Sequence, residues 1–99
     1  MIREKPTRAA IGIAWYRSDQ WEDLKAYCED PEIMENTYEA WKRGATKALR
    51  VLRRNGEHAG PVDFDLNEFR KWCEALEKRP VASSRSEFTL FALKHPPKS

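Results

Sequence analysis

The 99-residue chain is long enough for one hydrophobic core and gives no reason to expect two domains. Charged residues make up 34% of it, and no apolar run approaches the roughly 18 residues that cross a bilayer, which excludes a membrane-spanning helical protein. The net charge of +2 is too small to argue by itself for a polyanionic partner.

The charge is unevenly spread. Residues 19–39 carry eight acids (Asp19, Glu22, Asp23, Glu29, Asp30, Glu32, Glu35, Glu39) against Lys25 alone, and residues 40–54 carry six bases and no acid. The molecule is therefore expected to be electrically polar although nearly neutral. The opening Met-Ile-Arg-Glu-Lys-Pro has charges but no apolar stretch of signal-peptide length after it, so the expected location is the cytoplasm. Cys28 and Cys73 fall at apolar helix positions and read as small buried hydrophobes; a disulfide would require export.

Residues 1–8 are polar, contain Pro6 and read as a loose arm before a single globular domain over 9–95, with 96–99 as a tail. Ala9 to Tyr16 is an uncharged run in which Ile11, Ile13 and Trp15 alternate with Ala10, Gly12, Ala14 and Tyr16. Small or apolar residues on both faces predict a strand covered on two sides.

Four helix starts follow. Asp19 with Glu22, Asp65 with Glu68 and Ser84 with Glu87 each have the spacing of a capping box, and Asp30-Pro31 places a capping acid before a proline. The first helix is expected over about 19–28, with Trp21, Leu24 and Cys28 on one stripe. The second is expected over about 31–54, burying Met34, Tyr38, Trp41, Ala45, Ala48 and Leu52 with Leu49 in the seam, and ending at Asn55-Gly56. Gly56 to Pro61 reads as a loop, and Val62 to Asp65 as a short half-buried strand.

The third helix, about 66–78, is expected to bury Leu66, Phe69, Trp72, Cys73 and Leu76 before Arg79-Pro80 stops it. The last, about 85–94, is apolar nearly all round, so a strand is an alternative over 88–93; the cap signal at Ser84 favours helix. The result is a mostly helical α+β domain in the order β-α-α-β-α-α, with four helices and a minimal two-stranded element.

Trp15-Tyr16, Gln20-Trp21, Asp30, Thr37-Tyr38-Glu39-x-Trp41, Phe69-x-x-Trp72-Cys73 and Ser84-Arg85-Ser86-Glu87-Phe88 together resemble a group of short, uncharacterised bacterial proteins. The resemblance covers residues 11 to about 93. It implies bacterial origin and brings no activity with it.

Motifs for phosphate loops, nucleophile elbows, zinc proteases and Cys-x-x-Cys chemistry are absent. His58 and His95 lie close to Gly or Pro in expected loops, and the histidines and cysteines lack metal-ligand spacing, so no catalytic residue, cofactor or metal is expected. Three other constellations remain. Arg43, Lys47, Arg50 and Arg54 share one helix face about 16 Å long, able to meet several phosphates, but without aromatic residues on that face to stack bases. Were the strands parallel neighbours, Tyr16 and Arg17 would lie at the sheet edge where open α/β sheets bind ligands. The apolar last helix would leave Leu90 or Phe91 in water unless a second chain covered it. A non-enzymatic interaction module that self-associates as a homodimer is therefore the first expectation. Nucleic-acid association is second, and small-ligand binding at the strand ends third.

Overall fold

The computed structural model describes residues 11–95; the expected arm over 1–8 and tail over 96–99 lie outside the described residues. The elements are β1 (Ile11–Tyr16), α1 (Trp21–Tyr27), α2 (Tyr38–Arg54), β2 (Ala59–Phe64), α3 (Leu66–Leu76) and α4 (Ala82–Lys94). Among the described residues, four α-helices thus accompany a two-stranded parallel sheet, in the order expected from the sequence.

β1 and β2 pair from Ile11 opposite Ala59 to Tyr16 opposite Phe64. The Ile11 amide donates to the His58 carbonyl at 2.9 Å, which sets the phase of the ladder. In a parallel pair with this phase, Ile11, Ile13 and Trp15 exchange backbone bonds with β2, while Gly12, Ala14 and Tyr16 aim theirs at the other side. On β2 the same alternation turns Ala59, Pro61 and Asp63 outward, so Pro61 has no ladder bond to lose. This explains why β2 starts three residues before the expected Val62. Gly60 and Pro61 look like loop residues but fit an outer strand.

The sheet is covered on both faces. Trp15 meets Trp41 of α2 edge-on at 5.4 Å, while Phe64 meets Phe88 of α4 at 5.2 Å from the opposite face. A Cβ on Gly12 would lie 2.7 Å from Val62 Cγ2 and 3.3 Å from Leu93 Cδ2, so Gly12 lets α4 close over the strand pair. The core joins Trp21, Leu24, Cys28, Phe64, Leu66, Phe69, Cys73 and Phe88. Tyr16, Tyr38, Trp41 and Trp72 border it as half-buried aromatics.

Helix boundaries differ from the sequence expectation because caps arrive from distant residues. Asp19 caps nothing; residues 18–20 form one 3-10 turn, and its neighbour Gln20 serves α3 instead. Gln20 Oε1 accepts the Leu66 N–H at 2.8 Å and its Nε2 donates to Asp65 Oδ1 at 3.0 Å. Asp65 does cap α3, accepting from the Asn67 N–H at 3.2 Å, but Glu68 turns to Lys71. Asp30-Pro31 opens only a 3-10 turn, Pro31–Ile33, and α2 begins at Tyr38. There Thr37 Oγ1 accepts the Ala40 N–H at 3.1 Å.

Asp30 spends its carboxylate on a helix 52 residues away, accepting the Ala82 N–H at 2.8 Å. With that donor satisfied, α4 starts three residues before the expected Arg85. Ser84 lies inside the helix, and its hydroxyl donates to the Arg79 carbonyl. The buried faces also shift. Ala48 of α2 and Leu76 of α3 are exposed, because α2 turns Ala45 and Leu49 inward and α3 ends at Leu76. Glu77 then adopts a left-handed conformation (φ 54°), and the Lys78 N–H closes on the Cys73 carbonyl at 2.8 Å.

Candidate functional site

A groove of about 280 Å³ runs between β1 and α4, lined by Gly12, Ala14, Tyr16, Ala82, Arg85, Ser86 and Thr89. Strand alternation brings the first three to one side, and helical spacing brings the other four to the facing flank.

Arg85 is the charged residue of the groove, and only 7% of it is exposed. Its Nη1 donates to Asp30 Oδ1 at 2.8 Å and its Nη2 to Asp30 Oδ2 at 3.4 Å. Burial works to raise the Asp30 pKa, but the guanidinium and the Ala82 N–H outweigh it and hold the carboxyl below its ordinary range. Burial likewise opposes the charge on Arg85, and Asp30 more than restores it. Burial pushes the Tyr16 phenol up, with Arg85 pulling partly back, and does the same to the Cys28 thiol. The Cys73 thiol is raised by burial too, so neither cysteine is an activated nucleophile. This cluster locks the start of α4 to the segment after α1. It offers no poised acid, base or nucleophile.

The expected site residues do not form one site. Tyr16 lines the groove, its ring packed against Trp21, Trp41 and Phe64. Arg17 lies outside it. Its Nε donates to Asp63 Oδ1 at 3.0 Å and its Nη2 to Asp63 Oδ2 at 2.6 Å, a bidentate bridge across the strand ends. Arg17, by its hydrogen bonds, holds Asp63 below the usual carboxylate range. Such an exposed pair contributes about 0–1 kcal/mol, so it orients the strand ends more than it stabilises them.

Arg43, Lys47, Arg50 and Arg54 are all exposed on α2, and none has an ion-pair partner among the described residues. Arg53, beside the ridge, donates from Nε to the Ala59 carbonyl at 2.8 Å and covers the outer side of β2. Among the described residues no group of His, Cys, Asp or Glu is placed to hold a metal ion, and no helix is long and apolar enough to cross a membrane.

Of the two expected interface residues, Leu90 is 51% and Phe91 44% exposed. They sit on different flanks of α4. Phe91 is partly covered by the His95 ring, stacked at 4.5 Å. Leu90 follows Ser86 by one turn, which places it at the rim of the groove.

Sequence reasoning missed Arg85. Val81, Arg85, Phe88 and Ala92 follow steps of four, three and four, so a basic residue occupies a core position of the helix. That spacing is the signal, and a buried arginine requires an acid. The geometry defines a small α+β domain with a groove at its sheet edge and no catalytic constellation among the described residues. No protein-family model, curated protein or solved structure matches the chain.

Proposed function

We propose that this chain is a bacterial cytoplasmic, non-enzymatic interaction module that associates with itself as a two-fold homodimer. The observation that carries the reading is Leu90, a large apolar side chain 51% exposed one helical turn beyond Ser86 of the groove, on a helix that covers a sheet of only two strands among the described residues. A two-stranded sheet is marginal alone and gains from a second chain that extends or covers it. Two-fold dimers are the commonest way to do so. The two free, buried thiols fit a reducing compartment.

Light scattering at micromolar concentration tests this. The dimer has twice the chain mass of 11.6 kDa, and Leu90→Glu returns it to the single mass while the fold persists. A single mass for the parent protein, with Leu90→Glu changing neither mass nor stability, removes the reading.

A second reading draws on the basic ridge, whose four side chains are exposed and unpaired among the described residues. It requires salt-sensitive binding of DNA or RNA that Arg43→Glu with Arg50→Glu abolishes. The acidic turns before α2 and the lack of stacking aromatics on the ridge weigh against it, so no binding at physiological salt is expected.

A further inference from the structure

The two edges of the sheet are treated differently. On the outer side of β2, the Ala59 carbonyl is taken by Arg53 and Pro61 has no N–H. Both features block strand addition. On the outer side of β1, the Tyr16 carbonyl receives the Tyr38 hydroxyl at 3.2 Å. The N–H and C=O of Gly12 and of Ala14, and the N–H of Tyr16, have no hydrogen-bond partner among the described residues. Every residue of β1 is only partly buried, although the strand includes Ile11, Ile13 and Trp15. The groove runs along this open edge.

We infer that the open edge of β1 is completed by β1 of a second copy, running antiparallel about a two-fold axis at Ala14, to give a four-stranded sheet β2-β1-β1-β2. The inference rests on the self-association reading above and names its interface.

Three features of the strand are self-complementary under that axis. Ala14 faces Ala14 of the second copy and Gly12 faces its Tyr16. The outward-pointing N–H and C=O groups are those that an antiparallel hydrogen-bonded pairing uses. On the face toward α2, Ile13 lies opposite Trp15 of the second copy and Trp15 opposite its Ile13. These are pairs of β-branched and aromatic side chains at the closer, non-hydrogen-bonded positions. On the other face, Ala14 presents only a methyl group and Gly12 no side chain, so α4 already packs close over the strand.

The helices fit as well. Leu93 packs near Gly12, while Ala82 and Arg85 line the groove with Tyr16, so α4 runs antiparallel to β1. It lies over the β1–β2 pair, making contact with both strands. Strand spacing then sets the two α4 helices about 10 Å apart, a normal helix-packing distance. Small Ala82 and Ser86 line the facing flanks, and Leu90 becomes buried beside them. The exposed side chain and the open strand edge are thus two parts of one interface.

Ala14→Cys tests the geometry. Across such a hydrogen-bonded pair the Cα atoms lie about 5.5 Å apart, within the 4.4–6.8 Å or so that a disulfide spans. The native cysteines are buried and do not compete. Mild oxidation should convert most of the Ala14→Cys protein to a covalent dimer, while Glu57→Cys, on an exposed loop, stays uncrosslinked. Ala14→Pro removes an N–H that the β1–β2 ladder does not use. It should halve the mass in solution with the circular dichroism spectrum unchanged; if this variant misfolds, the cysteine crosslink decides alone. A dimer whose Ala14→Cys variant fails to crosslink overturns the strand-edge interface and leaves self-association standing. A monomer at every concentration overturns both.

Discussion

Replacing Arg85 with methionine keeps the length and apolar body of the side chain and removes its charge. The Asp30 carboxylate then remains, with its side chain 15% exposed, facing a neutral residue. Breaking a buried ion pair from one side costs about 3–5 kcal/mol, because the remaining charge stays desolvated. Asp30 keeps the Ala82 N–H, at 2.8 Å, and some contact with water, so the lower end, about 3 kcal/mol, is expected. In a domain of this size each kcal/mol lowers the melting temperature by about 4–8 °C, and Arg85→Met should lose at least about 12 °C. Adding Asp30→Asn removes the stranded charge and should recover part of the loss, a coupling of about 1–3 kcal/mol in a double-mutant cycle.

The pH dependence has a definite sign. The folded pKa of Asp30 is held below its unfolded value of about 3.9, so its contribution is fully present above that value. It disappears as pH falls through the folded pKa. The stability gap between parent and Asp30→Asn should therefore be constant from about pH 8 to 5 and narrow below about pH 4. Melting followed by circular dichroism across that range measures both effects. An Arg85→Met protein that melts within a few degrees of the parent, with a pH-independent gap for Asp30→Asn, would refute the coupling of Asp30 to α4.

Trp41 touches Trp15, Tyr16, Trp21 and Tyr38 at ring separations of 4.9–6.0 Å, so Trp41→Ala should cost about 3 kcal/mol in urea unfolding, the lower end for a large aromatic because the ring is only half-buried. Gly12→Ala drives a methyl group to within 2.7 Å of Val62 Cγ2 and should destabilise by about 1–3 kcal/mol, read from the same denaturation curve. Glu77→Gly relieves a left-handed residue whose conformation costs about 1–2 kcal/mol, less the entropy that glycine adds to the unfolded chain, and should raise the melting temperature by a few degrees.

The alternation of Ile11, Ile13 and Trp15 with smaller residues was enough to place β1, and the Asp65 cap was enough to start α3. Both signals are local. Asp30 and Gln20 illustrate the opposite case, because each serves a helix start far along the chain, Asp30 at Ala82 and Gln20 at Leu66. A capping acid in the sequence declares that a donor will be satisfied without declaring which one, so Asp30 marked the wrong helix. The site follows the same division. Tyr16 was readable as a strand-end residue, whereas the acid partner of Arg17 and the burial of Arg85 depend on strand pairing and on how α4 docks. The open edge of β1 was not readable at all, since it depends on the phase of the ladder and on Pro61 occupying the opposite edge.

Amide hydrogen exchange at Ala14 tests the central claim most directly. Ile13 and Trp15 donate within the β1–β2 ladder and should be protected at every protein concentration. Ala14 donates outward, so its protection should arise only as the protein associates and should rise with concentration alongside the mass. Ala14 exchanging as fast as the exposed loop amide of Glu35, at a concentration where light scattering gives twice 11.6 kDa, would contradict the assembly of this protein through the edge of β1.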